Sequence, residues 1–273
     1  MERLTSNTEF VDEYINRLEV PIFRQKIQSE IGGRLEFSDF SVDPDVFISP
    51  FDNLGTWDFL SKEARGKRVL DMGSGTGCLS LAAAKFGAYE VTSFEIIEAA
   101  LFNTQQNITK SRFQDRIQIF RSDLFATAEK LHVKNWDIII ANLPFDNCSY
   151  KTKNGMNIAT RDQDFVINRS FLKNAKNYLA PKGKIVFNHS NFSGACDLLV
   201  AEIVKNEYFI SQLSENAIPF GRINRKFFTM VLESQIQQPN LLKNPKELYE
   251  WQRKMIQSDQ YLRQIDEDFQ NLG

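Results

Sequence analysis

Between residues 68 and 187, short apolar runs rich in Val and Ile alternate with stretches of helical period, and this alternation constrains the fold more than any other feature. The runs are 68–71, 89–94, 117–121, 136–141 and 184–187, with a late one at 227–232. The run Trp136-Asp137-Ile138-Ile139-Ile140-Ala141 is almost wholly apolar, so a strand there needs cover on both faces. The intervening helical stretches 78–86, 98–109 and 164–179 supply that cover. Pro181-Lys182-Gly183 turns the last of them into its strand. The pattern predicts an α/β fold with a doubly wound, mostly parallel sheet.

The first strand runs into Val69-Leu70-Asp71-Met72-Gly73-Ser74-Gly75-Thr76-Gly77, with a helix directly behind it. Glycines at alternate positions let the backbone turn sharply and approach a ligand, and the helix adds exposed N–H groups. A nicotinamide loop has a different spacing, G-x-G-x-x-G. Here an acid, Asp71, precedes the glycines. It would repel a pyrophosphate and suits the ammonium of an amino-acid moiety. Glu95 ends the second strand, where a carboxylate can accept ribose hydroxyls. Asp123 follows the third strand, placed for an adenine amino group, with Leu124 and Phe125 offering apolar surface. Acids at the carboxyl ends of three strands would converge on one crevice.

With these residues the chain resembles the class I S-adenosylmethionine-dependent methyltransferases, from about residue 46 to 233. Phe94-Glu95-Ile96-Ile97-Glu98-Ala99-Ala100-Leu101, with Asn107 beyond, is similar to that family's second strand and following helix. The resemblance implies a seven-stranded sheet and S-adenosylmethionine as cofactor. It implies Asp71, Gly73, Gly75 and Gly77 around the methionine part, Glu95 at the ribose and Asp123 at the adenine. Ser74, Ile96, Leu124 and Asn142 complete the expected cofactor set.

The fourth strand ends in Asn142-Leu143-Pro144-Phe145, which resembles the Asn-Pro-Pro-Tyr/Phe motif of methyltransferases acting on planar nitrogens. Such a nitrogen is a poor nucleophile because its lone pair is delocalised. The Asn142 side-chain oxygen and the Leu143 carbonyl can each accept one N–H and turn the lone pair towards the methyl group. Phe145 would stack on the planar acceptor. Leu143 stands where the motif usually has proline, which frees the backbone but keeps the carbonyl. The acceptor stays open among a protein glutamine, an RNA base and a small molecule. Transfer to oxygen or carbon, or a non-catalytic scaffold retaining the fold, are the alternatives.

Other residues admit blander roles. His189, just past the fifth strand, reads as structural before catalytic, His132 as exposed, and Cys148 has no partner base. Phe51 and Thr56 are candidate cofactor contacts, and 150–161 is a substrate loop or a plain connection.

Residues 1–50 form an expected extension, helical over 7–30, ended by Gly32-Gly33 and followed by a hairpin over 34–48. The methyltransferase domain is expected over 51–235. Residues 236–273 form an amphipathic helix with a narrow seam (Leu248, Trp251, Met255, Leu262, Ile265, Phe269 and Leu272), suited to packing on the domain or to homodimerisation. With 33 basic and 35 acidic residues, the net charge of -2 offers no global attraction to nucleic acid. Three separated cysteines, no metal-ligand spacing, no signal peptide and no apolar run of spanning length point to a soluble cytoplasmic protein without membrane partners.

Overall fold

The computed structural model describes residues 21–48, 53–147, 157–191, 195–220, 223–234 and 253–254. Its helices are α1 (Pro21–Leu35), α2 (Leu54–Glu63), α3 (Cys78–Lys85), α4 (Glu98–Lys110), α5 (Ala126–Leu131), α6 (Asn157–Thr160), α7 (Val166–Ala175) and α8 (Cys196–Lys205). The strands are β1 (Arg68–Met72), β2 (Glu90–Glu95), β3 (Ile117–Arg121), β4 (Trp136–Ala141), β5 (Leu179–Ser190), β6 (Phe209–Phe220) and β7 (Ile223–Glu233). They form one sheet in the order β3-β2-β1-β4-β5-β7-β6. β7 runs antiparallel to β5 and β6, and the other pairs are parallel.

Both faces of the sheet are covered, as an apolar β4 demands. Val69, Val91, Ile138 and Ile140 join one core with Leu60, Leu81 and Ala82–Ala84. The alternate residues Leu70, Met72, Ile139 and Ala141 join the other with Phe171, Leu172, Leu199 and Ile203. Strand period two divides the chain between these layers. The strand order reverses between β1 and β4, and there the loops after parallel strands part to leave a crevice.

The amino-terminal expectations need correction. α1 passes through Gly32-Gly33 to Leu35 and ends with Glu36 in the left-handed region (φ 54°). Glu36 N–H donates to the Gly33 carbonyl at 3.1 Å and Phe37 N–H to that of Gly32 at 2.8 Å, a Schellman closure. A Cβ on Gly32 would lie 2.9 Å from the Phe37 oxygen, so this returning turn requires the glycine. The hairpin over 34–48 does not form; turns replace it. Its alternating apolar residues instead seat Leu35 and Phe40 in the core, and α4 satisfies its backbone. Ser41 N–H donates to Asn107 Oδ1 (2.9 Å), and the Ser41 carbonyl accepts from Asn107 Nδ2 (2.8 Å) and Asn103 Nδ2 (3.1 Å).

The expected helix 164–179 is also broken. Asp164 and Phe165 take φ of 60° and 57°, α7 begins at Val166, and β5 begins at Leu179. Pro181-Lys182-Gly183 is an irregularity inside β5, because Trp136 pairs with Leu179 while Ile138 pairs with Lys184. The proposed 7–30 helix before Pro21, Phe51, Cys148, Lys151–Gly155 and all seven residues of the carboxy-terminal seam lie outside the described residues. No described helix is long and apolar enough to cross a membrane.

Asn107 is fully buried, and its Nδ2 also donates to the Thr76 carbonyl at 2.9 Å. Asn107→Ala should therefore strand several buried backbone groups and lower the unfolding free energy by about 3 kcal/mol in urea titration. A loss under about 1 kcal/mol would show that water replaces the amide.

Candidate functional site

The crevice lies at the carboxyl ends of β1, β2, β3 and β4 and has a volume of about 240 Å³. Gly73–Thr76 form its floor, Glu95–Ile97 and Ser122–Leu124 one side, and Asn142–Pro144 the other. Asp45, Val46 and Phe47 complete the wall, so the strap held by Asn103 and Asn107 is part of the site. Sequence reasoning missed these three because the strap read as a hairpin.

Gly73, Gly75 and Gly77 have φ of 76°, 57° and 79°, the left-handed region open to glycine. Gly73 also faces the tetrapeptide: a Cβ there would come within 3.3 Å of Leu143 Cδ2. A Cβ on Gly77 would lie 3.0 Å from Thr104 Cγ2. The loop is tied from outside as well, since Thr104 Oγ1 donates to the Gly75 carbonyl at 2.7 Å.

Glu95 is 5% exposed and accepts three backbone N–H groups at 2.8 Å. Ile96 and Ile97 donate to Oε1, and Gly75 to Oε2. Burial raises its pKa and these three bonds oppose the rise. A carboxylate oxygen has room for about two donors, so Oε2 can take one further hydroxyl without displacing the backbone.

Of the expected cofactor residues, Gly73, Ser74, Gly75, Glu95, Ile96, Asp123, Leu124 and Asn142 line the crevice. Asp71 and Gly77 do not. The Asp71 side chain is buried behind the loop and accepts from Ser80 Oγ, which also contacts Ser93 Oγ at 2.7 Å. Thr56 is likewise behind the wall, donating to Asn188 Oδ1 at 3.0 Å, and Asn53 lines the crevice in its stead.

At the tetrapeptide, Asn142, Leu143 and Pro144 line the crevice and Phe145 does not. The Phe145 ring stands edge-on to His189, with centroids 5.7 Å apart. Phe165 and Phe187 also face that imidazole, and burial drops its pKa to about 3. His189 is therefore neutral at physiological pH and unsuited to act as a base. The Asn142 Nδ2 donates to Asn53 Oδ1 at 3.1 Å. The Pro144 carbonyl accepts from Asn168 Nδ2, and Asn168 is itself held by Asp162, which caps α7. His132 is exposed at the end of α5, and the neighbours of Arg161 bond to Asp146, whose N–H donates to the Thr160 carbonyl at 3.0 Å and whose carbonyl accepts from Asp162 N–H at 2.9 Å.

Three carboxylates, Asp45, Glu95 and Asp123, line the crevice with no Lys, Arg or His among its described walls. That charge disfavours a pyrophosphate and suits a cationic ligand. Ile96 is 47% exposed and, with Leu124, offers apolar surface to a planar ring. A hydroxyl acceptor, apolar faces and negative potential together fit a nucleoside that bears positive charge, as S-adenosylmethionine does.

A family model described as the methyltransferase small domain matches residues 54–214. A tRNA1(Val) (adenine(37)-N6)-methyltransferase of Parabacteroides distasonis is 30% identical over 132 residues, 48% of this chain and 54% of that protein. The chain spans about half the length of the curated relatives it matches. A tRNA m1G37 methyltransferase of M. jannaschii has a similar fold, with a TM-score of 0.51, 17% identity, and 70% of this chain and 52% of that one covered. So has a precorrin-6y C5,15-methyltransferase of Geobacter metallireducens, with a TM-score of 0.51, 10% identity, and 72% and 95% covered.

Burial lifts the Asp71 carboxyl from 3.8 to about 6, a rise the Ser80 hydrogen bond opposes and Glu95 adds to. The folded acid holds its proton more tightly than the unfolded one. Its stabilising contribution is thus complete below about pH 4 and lost as pH rises through about 6. Asp71→Asn should gain stability relative to the parent by up to about 3 kcal/mol between about pH 4 and pH 7. Parallel urea-unfolding profiles for the two proteins would refute this.

Proposed function

The chain belongs to the methyltransferase small domain family, and on that premise we propose that it transfers a methyl group from S-adenosylmethionine to the exocyclic amino nitrogen of an adenine in RNA. The matched relatives named tRNA1(Val) (adenine(37)-N6)-methyltransferase support the acceptor class. The observation that carries the reading is the polarity of Asn142. In this polarity its nitrogen donates to Asn53, and its oxygen, buried before ligands enter, is the end assigned here to the incoming amine.

In this reading Glu95 Oε2 binds a ribose hydroxyl, Ile96 and Leu124 flank the adenine, and Asp123 receives the adenine amino group at the rim. Gly73, Ser74 and Gly75 present backbone to the methionine part, and Asp71 and Gly77 act from behind by shaping the loop. When bound, S-adenosylmethionine supplies an electrophilic methyl group on a sulfonium that leaves without protonation. The chain's own task is orientation. Asn142 Oδ1 and the Leu143 carbonyl each accept one N–H of the acceptor amine, which exposes its lone pair in line with the methyl group. No described residue donates to the Leu143 carbonyl, whereas the Pro144 carbonyl is taken by Asn168. A base is not required, because the amine becomes acidic once alkylated and releases its proton to water. Phe145 stacks on the acceptor ring only if it leaves its contact with His189.

The direct test is incubation with labelled cofactor and total tRNA, then nucleoside analysis. Label in N6-methyladenosine is expected, and label in another nucleoside or in protein would reject the acceptor. Asn142→Ala should leave cofactor affinity nearly intact and lower kcat about a hundredfold, the scale of a 1 Å misplacement. A variant that turns over like the parent would remove the nitrogen reading. By calorimetry, Glu95→Ala should weaken cofactor binding by about 1.5–3 kcal/mol, the worth of one hydrogen bond to a charge. An unchanged Kd would clear Glu95 of that role.

A further inference from the structure

Asn53 occupies the amino-terminal cap of α2, where asparagine ordinarily turns its side chain onto the first N–H groups of the helix. Here it makes no such bond. Its Oδ1 instead accepts from two other amides, Asn142 Nδ2 at 3.1 Å and Asn188 Nδ2 at 3.2 Å. Asn188 is fixed in turn, since its Oδ1 accepts from Thr56 Oγ1 at 3.0 Å and Thr229 Oγ1 at 2.8 Å. Asn53, Asn188, Thr56 and Thr229 are all at most 5% exposed, so the bonds among them are shielded from water, while the Asn142 bond lies at the crevice wall. The close approach depends on Gly55: a Cβ there would lie 2.1 Å from Ser214 Oγ and 2.5 Å from Thr229 Oγ1. Only glycine lets α2 settle on β6 and β7 near enough for the cap residue to reach across to β4 and β5.

We propose that Asn53 is a positioning residue that sets the polarity of the Asn142 carboxamide, and with it the requirement for an N–H donor on the methyl acceptor. This rests on the N-methyltransferase reading above. The two ends of a carboxamide are nearly isosteric, and a flipped Asn142 would present NH2 to an amine that also carries only donors. The hydroxyls of Thr56 and Thr229 donate to Asn188 Oδ1, and in this arrangement the Asn188 NH2 faces Asn53. Asn53 Oδ1 offers Asn142 an acceptor, so the Asn142 nitrogen turns to Asn53 and its oxygen, buried before ligands enter, forms the other end of the carboxamide. A chain of three amides thus links β7 to the proposed acceptor site, with Asn53 supplying the oxygen on which the Asn142 nitrogen rests.

The test compares Asn53→Leu, which removes the acceptor, with Asn53→Asp, which keeps an oxygen for both amides. Asn53→Leu should lower kcat by about tenfold to a hundredfold, the range set by misorientation, with cofactor Kd within about twofold of the parent. Asn53→Asp should recover most of that loss, a rescue a merely space-filling role would not show. A second readout does not depend on activity. In 15N-labelled protein the Asn142 side-chain NH2, assigned by its absence in Asn142→Ala, should exchange with water slowly in the parent and in Asn53→Asp. In Asn53→Leu it should exchange at least about tenfold faster, as a buried amide that has lost its bond. If Asn53→Leu does not fold, Asn188→Asp breaks the chain one step back, opposing an oxygen to Asn53 Oδ1, and should show the same fast exchange. Parental kcat in Asn53→Leu beside an impaired Asn142→Ala would overturn the proposal. So would an Asn142 exchange rate that ignores residue 53. If Asn142→Ala is itself unimpaired, the nitrogen reading falls, and the exchange order alone upholds or overturns the amide chain.

Discussion

The Glu95 carboxylate gathers the N–H groups of Gly75, Ile96 and Ile97 in a pocket where burial disfavours its charge. The three donors offset part of that penalty, and in doing so they join the β1 loop to the start of α4. The rest of the crevice follows from this junction. With Gly75 drawn to Glu95, the loop must pass through left-handed conformations at three glycines. With α4 anchored, Asn103, Thr104 and Asn107 face inward on one side of the helix and hold the loop from Thr104 and the strap from the two asparagines. One acid at a strand end thereby organises the floor and one wall.

Uncharged amides organise the opposite side. Asn53, Asn142 and Asn188 come from the start of α2, the end of β4 and the end of β5, and they meet where the sheet order turns. Carboxamides suit this place because each offers a donor and an acceptor without the desolvation cost of a charge. Asn168 performs a related task from α7, fixing the Pro144 carbonyl and being fixed by Asp162. The described crevice thus has an acidic, partly apolar half and a neutral, directional half. That division matches the needs of a cationic nucleoside at one end and a planar amine at the other.

The strand signals and the glycine loop were legible in the sequence because their causes are local. A strand buried on both faces must be apolar throughout, so 136–141 announces itself, and three glycines before a helix state where the backbone turns. α5, α8 and β6 had no comparable signal. β6 is an edge strand in which none of residues 211–216 is buried, so its composition shows no period. The hairpin over 34–48 was misread because alternating apolar residues satisfy a strand pattern whether they pair with a neighbour or drop singly into a core.

The sequence alone determined the layer arrangement, the crevice at the strand ends, and Glu95, Asp123 and Asn142 as residues lining it, since each ends or follows a strand by short-range rules. Tertiary structure decided the rest. It turned Asp71 and Thr56 away from the crevice, packed Phe145 against His189, and brought Asn53 and the strap 45–47 into the wall. Those outcomes depend on which buried group finds which partner across separations such as the 89 residues between Asn53 and Asn142 or the 66 between Ser41 and Asn107. A residue's type states what bonds it can make. Only the packed chain determines which of them are within reach.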